Sequence, residues 1–290
     1  MVLKQPIHWC ARVLRCGCLL IWLAAWNSNR AEAAAEVPVT QLRLFNGTNL
    51  AGFYTWLVDT KRGDPRRVFT VTNGMIRISG DGLGYLSTEK AYRDYHLIAE
   101  FRWGRTNWHW GQRIGAARDS GIFLHATGPD GNSHDGGGAF RAAIECQVMQ
   151  GAVGDFLLIR GTAADGSLIA PQVTVETSPS ADPEGWPTWQ AGGLHRTLTR
   201  WGRVNWKDKA RDWRDTLDFR GVRDVESAGE GWTRVECLCD GRRIEVRVNG
   251  VRANEATAVF PSEGRILLQC EGSEVFFRRL ELGPLGKRTP

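Results

Sequence analysis

From Leu42 onward, apolar and polar positions alternate with a period of two over most of the chain, and that period predicts strands rather than helices. Two stretches are central. In Ala143-Ile-Glu-Cys-Gln-Val-Met149, one face carries Ile144, Cys146 and Val148 and the other carries Glu145, Gln147 and Met149. In Asp119-Ser-Gly-Ile-Phe-Leu-His125, Ile122 and Leu124 share a face, which sends Phe123 and His125 to the opposite one. A strand with one apolar face and Glu, Gln and His on the other can floor a polar groove on a rigid sheet. The same pattern fits an ordinary strand whose outer side is wet.

The remaining strand text is short and punctuated. Leu42–Leu50 runs into an Asn-Gly turn, and Phe69–Ile78 reads as a hairpin about Asn73-Gly74. Leu83–Thr88, Tyr95–Trp103 and Asp155–Arg160 follow the same alternation, as do Thr233–Cys239, Arg243–Gly250, Arg265–Cys270 and Glu274–Leu282. Residues 161–230 lack a clear period and are dense in Trp, Arg and Asp, which predicts a long folded or functional excursion. Many short antiparallel strands at this length predict an all-β fold, a jelly-roll sandwich of two antiparallel sheets.

The N-terminus changes the picture. Lys4, Arg12 and Arg15 precede the apolar run Leu19–Trp26, and Ala31-Glu-Ala33 follows as a small-x-small cleavage site. This is the layout of a signal peptide, with an apolar run too short to span a bilayer. Cys10, Cys16 and Cys18 lie before the run, whereas a lipidated cysteine would follow it. The expectation is a secreted or periplasmic protein without a membrane anchor. Its parts are a signal peptide (1–33), a flexible leader (34–41), one domain (42–283) and a short tail (284–290). Cys146, Cys237, Cys239 and Cys270 sit inside apolar strand patterns; they read as buried thiols, and an exported protein also permits a disulfide to Cys270. A formal charge of +5 with Arg dispersed among Asp and Glu leaves no basic stripe for nucleic acid.

Three separated blocks carry a resemblance: Leu44-Phe-Asn-Gly-Thr-Asn-Leu-Ala-Gly52, the two central strands, and a closing block. The closing block comprises Gly231-Trp-Thr-Arg-Val-Glu, Val248-Asn-Gly250, Gly264-Arg-Ile-Leu-Leu-Gln269 and Val275–Leu282. Their order and spacing resemble the bacterial 3-keto-disaccharide hydrolase family, over about Leu42 to Leu282. The resemblance implies a concanavalin A-like domain, usually exported, that cleaves glycosides already oxidised to a ketone at C3. The 161–230 segment is longer and richer in Trp and Arg than the common family pattern.

The residues can be weighed against that chemistry. A retaining glycosidase needs two carboxylates about 5 Å apart. Related jelly-roll glucanases carry them as Glu-x-Asp-x-x-Glu, and the corresponding text here, Glu145-Cys-Gln147-Val-Met-Gln150, keeps one. A 3-keto sugar needs less. Its ketone acidifies the C2 proton, so one base suffices to form an enolate that expels the C1 substituent, given donors for the enolate and a proton for the leaving group. Glu145 and His125 are the candidates for base and acid, in either order. Gln147 is a candidate for binding sugar hydroxyls, and Arg102 joins if its strand neighbours theirs. Asp119 reads as a strand-end cap or a site residue. Trp201 and Trp206 read as a sugar-stacking rim or as the core of the excursion. A divalent metal could bind through His125 with Glu145 or Asp119, although no spacing demands one, and no other cofactor is indicated. The partner expected is a carbohydrate. Two alternatives share the fold: a non-catalytic carbohydrate-binding module and a conventional endo-glucanase.

Overall fold

A computed structural model of the chain describes residues 34–108, 110 and 113–286. The expected signal peptide and the last residues of the tail lie outside the described residues. In chain order the strands are β1 (Leu42–Arg43), β2 (Phe53–Leu57), β3 (Phe69–Thr72), β4 (Met75–Ile78), β5 (Leu83–Thr88), β6 (Tyr95–Asn107) and β7 (Asp119–Thr127). Then come β8 (Ala142–Met149), β9 (Phe156–Ile159), β10 (Gly161–Thr162), β11 (Leu168–Ile169), β12 (Gln172–Ala181), β13 (Pro187–Trp189) and β14 (Leu194–Thr199). The chain closes with β15 (Gly202–Val204), β16 (Thr233–Asp240), β17 (Arg243–Val248), β18 (Val251–Phe260), β19 (Arg265–Glu271) and β20 (Ser273–Pro284).

Besides a separate two-stranded β10-β11 ribbon, two large antiparallel sheets result among the described residues. One has the order β13-β12-β18-β17-β16-β6-β20-β4-β3, with β1 on β20 and β14 on β12; the other has the order β15-β9-β8-β7-β19-β5-β2. Their inner faces share one core, to which β7 gives Ile122 and Leu124, β8 gives Ile144, Cys146 and Val148, and β6 and β20 give Phe101 and Phe277. Each such side chain contributes roughly 1.5–3 kcal/mol on burial. This is the all-β jelly-roll sandwich that the strand pattern predicts. Cys146, Cys237, Cys239 and Cys270 are all buried and free.

Residues 34–41, expected as a flexible leader, make ordered contacts: Glu36 N–H donates to Ala91 O, Arg93 N–H donates to Glu36 O, and Pro38 is buried. The 161–230 segment is a folded excursion that forms β10 to β15, and its longest stretch without strands begins at Asn205. Its β12 extends the larger sheet by pairing with β18 and β14, while β15 extends the smaller sheet through β9. Val173, Val175 and Thr177 alternate with Thr174, Glu176 and Ser178 in β12, and Pro179 and the Asp182-Pro183 turn cut that alternation short.

Candidate active site

The site lies on the outer face of the smaller sheet, on the side turned away from the shared core. In one row across the strands, Arg203 stands beside Leu157, Leu157 beside Glu145, Glu145 beside Phe123, and Phe123 beside Leu267. One step along, Gln147 pairs with Gly121, and Gln269 pairs with Tyr85, which pairs with Trp56. A further step brings Asp119 opposite Met149 and places Glu271 opposite Leu83. Alternation therefore delivers Glu145, Asp119 and Glu271 from three neighbouring strands to one face.

Gly121 makes the room for Glu145. A Cβ added there would stand 2.1 Å from Glu145 Oε1 and 3.0 Å from Gln269 Oε1. Both of these oxygens are buried without a hydrogen-bond partner, as are Asp119 Oδ1 and Arg203 Nη2. Three acceptors and one donor thus converge on the face with unused capacity, which is costly unless a ligand completes it.

Burial pushes the Glu145 carboxyl well above the usual carboxylate range, with Asp119 and Glu271 adding repulsion and Arg203 opposing it. Asp119 is raised for the same reasons, by burial first and then by Glu271, against the pull of Arg113. Glu271 is raised by burial, again against Arg113. The cations are held in place. Arg113 Nη1 lies 3.4 Å from Asp119 and 3.2 Å from Asp215. Arg203 Nε donates to Asp155 Oδ2 at 2.7 Å, Lys209 Nζ donates to the same oxygen at 2.9 Å, and Trp206 N–H donates to Asp155 Oδ1 at 2.7 Å.

Loops close both ends of the face. At one end, Asp130 Oδ1 accepts from the hydroxyls of Tyr54 and Tyr85 at 2.7 and 2.9 Å, and Arg62 and Arg141 pair with the same carboxylate. At the other, the strand-free segment folds back. Asp215 accepts from Ala117 N–H, Leu217 N–H donates to Gly115 O, Asp218 pairs with Arg118, and Trp213 Nε1 donates to Gln150 O. Glu145 is only 2% exposed in this closed arrangement.

The structure brings Glu145, Gln147 and Asp119 to one face and does not bring His125, Arg102, Trp201 or Trp206 into that cluster. His125 has φ +57°, and the register between β7 and β8 shifts between Leu124 and Thr127. That bulge turns its ring inward, where it packs edge-on against Tyr95 of the other sheet at 5.8 Å and donates from Nδ1 to Pro261 O at 2.9 Å. The ligand set of His125 with Glu145 or Asp119 is therefore not assembled. Among the described residues no other group of three His, Cys, Asp or Glu side chains is arranged to hold a metal ion. Arg102 belongs to the larger sheet and stacks on Trp232 and Phe276 at 5.0 and 5.6 Å. Trp206 is 1% exposed and part of the core, with Nε1 donating to Gly151 O, whereas Trp201 is 52% exposed and packs on Trp186.

The sequence reading missed Gln269 and Glu271, Arg113, and the Asp155–Arg203–Lys209 set. The first two had a signal, since Leu267, Gln269 and Glu271 alternate against Leu268 and Cys270. The others come from loops and a three-residue strand, where no period marks them.

No curated protein matches the sequence. Among solved structures, two described as glycosyl hydrolases of Parabacteroides distasonis ATCC 8503 are similar. One is 16% identical with a TM-score of 0.47 (84% of this chain and 99% of that one covered), the other 14% with 0.46 (85% and 94%). The β-glucanase of Bacillus licheniformis is 10% identical with a TM-score of 0.43, covering 86% of this chain and 100% of that one. The sequence model described as the 3-keto-alpha-glucoside-1,2-lyase-like domain matches residues 41–283, and the chain belongs to that family.

Proposed function

We propose that the chain is an exported enzyme that cleaves 3-keto glycosides by removing the C2 proton and expelling the C1 substituent. The observation that carries this reading is the unpartnered Glu145 Oε1 above Gly121, with the unpartnered Gln269 Oε1 beside it. Glu145 takes the C2 proton, and a base with a raised pKa is better matched to a weak carbon acid than an ordinary carboxylate. The electrons move to the C3 oxygen as an enolate, for which the unpartnered Arg203 Nη2 is the donor in this reading. The C1–O bond breaks as the enolate collapses, and the leaving oxygen takes a proton from the Asp119–Glu271 pair, whose raised pKa values keep a proton available. Water adding back to the resulting alkene makes the net reaction a hydrolysis; without it the reaction is a lyase step. His125 has no part in this scheme.

A second reading draws on Asp119 and Glu271. They supply from neighbouring strands the carboxylates missing from the Glu145–Gln150 text, which favours two-carboxylate hydrolysis of an unoxidised glycoside. One experiment separates the two. The purified protein is mixed with a 3-keto glycoside bearing a chromogenic leaving group, and with its unoxidised parent, with and without a chelator. Release from the keto form alone supports the elimination reading. Release from the parent form at a comparable rate overturns it in favour of the second. Loss of release with chelator would add a metal to either.

A further inference from the structure

A second feature lies on the larger sheet, away from the carboxyl cluster. β12 carries Thr174, Glu176, Ser178 and Ser180 on its outer face, while Val173, Val175 and Thr177 are buried on the inner one. At about 3.3 Å per residue this polar row is about 20 Å long. Neighbouring strands widen it, since Thr174 stands between Thr197 and Thr257, and Glu176 stands beside His195.

Three clefts lie end to end along the row. The first, of about 650 Å³, runs between Ser178 and Ser180 on one side and Lys207, Arg211 and Val222 on the other. The second, of about 480 Å³, shares Ser178, Thr188, Lys207 and Asp208 with the first. The third, of about 230 Å³, shares Trp189, Ala191 and Arg252 with the second and ends at Thr174 and Thr257. Shared walls make them one trench.

The chemistry of the lining selects its occupant. Hydroxyls floor it, which disfavours an apolar ligand. Its charges are mixed in sign: Asp182, Asp208 and Asp212 stand among the lysines and arginines of the first cleft, and Lys207 and Arg223 share Asp208 at 3.6 and 3.3 Å. Lys209 and Arg220 are held by Asp155 and Asp224, and His195 lies 3.7 Å from Glu176. Carboxylates interspersed in this way break up a sustained positive field for an acidic polymer. What the trench offers along its length is many donors and acceptors, the complement of a row of sugar hydroxyls. We propose that the trench along β12 is a glycan-binding surface that holds a neutral, extended oligosaccharide, separate from the Glu145 site.

The test measures binding without turnover. Protein carrying Glu145→Gln is titrated calorimetrically with maltohexaose, cellohexaose and laminarihexaose, with the matching disaccharides, and with an alginate hexasaccharide. The expected result is one or more neutral hexasaccharides binding roughly ten-fold tighter than the matching disaccharide. That binding should weaken by about ten-fold in Ser178→Trp, which fills the trench, and in the double variant Lys207→Ala/Asp208→Ala, which strips its wall. Both variants should keep the parent melting temperature; the double variant, with both changes at the surface, keeps the test valid if Ser178→Trp does not fold. Three results overturn the proposal: no neutral hexasaccharide binds, the trench variants bind as the parent does, or only the acidic hexasaccharide binds. None depends on the reaction assigned to Glu145.

Discussion

The carboxyl of Glu145 lies over the bare backbone of Gly121, where an added Cβ would be 2.1 Å from its Oε1. The atoms in the way are the ends of the Glu145 and Gln269 side chains, not backbone. Gly121→Ala should therefore fold, with a stability loss of about 1–3 kcal/mol, while displacing the carboxyl from its place. A fall of kcat by roughly ten-fold or more, with the protein still melting cooperatively, is the expected outcome. Unchanged turnover would remove Glu145 from the chemistry. Gly84→Ala is the contrasting case: there the new Cβ meets the backbone of Trp56 and Leu57 at φ +158°, so the fold itself should suffer.

The raised pKa of Glu145 has two consequences of opposite sign. A base must be ionised, so turnover is lost as pH falls through the raised value, and the acidic limb of the pH–rate profile should lie above the ordinary carboxylate range. For stability, the unfolded chain ionises Glu145 first, so its burial opposes folding increasingly as pH rises above the unfolded pKa. Glu145→Gln should abolish turnover yet raise Tm at pH 8, by about 2–4 °C for each kcal/mol relieved, and raise it less at pH 5. Melts at the two pH values check this, and a lowered Tm at pH 8 would contradict it.

His125 makes a prediction against its first reading. Burial lowers its pKa from 6.5 to about 4. The unfolded state therefore takes up a proton first, and the folded state loses stability as pH falls from about 6.5 to about 4, by a total of about 3 kcal/mol. His125→Gln should flatten that acid dependence while leaving turnover at pH 7.5 within about three-fold of the parent. A collapse of turnover in a well-folded variant would return His125 to the mechanism.

Asp155 is fully buried and anchors two cations together with the Trp206 amide. Asp155→Ala leaves Arg203 and Lys209 without their shared partner and should cost about 3–5 kcal/mol, read as a shift of the urea midpoint. A shift below about 1 kcal/mol would mean that solvent takes over the role of the carboxylate.

Strand text was legible where alternation was regular. The hairpin about Asn73-Gly74 forms as β3 and β4, and the split of β8 into Cys146 and Glu145 faces is the one that the sequence predicts. His125 was misplaced because a single bulged residue reverses every parity argument beyond it, and no local signal marks the bulge. Glu271 was hidden for another reason. Sequence spacing shows carboxylates along one strand, whereas Glu271 reaches the face from β19, far along the chain from Glu145 and Asp119.

The two closures of the outer face are made of different material. Asp130 is gripped by two tyrosine hydroxyls as well as Arg62 and Arg141, and its carboxylate is 10% exposed. At the opposite end, beside the Leu217 and Trp213 hydrogen bonds, the fastenings include ion pairs of Asp215 and Asp218, whose side chains are 43% and 69% exposed. Dissolved salt weakens exposed pairs and leaves buried ones largely alone. Raising ionic strength therefore loosens the cover of the face at the Asp215 and Asp218 end and leaves the Asp130 end in place.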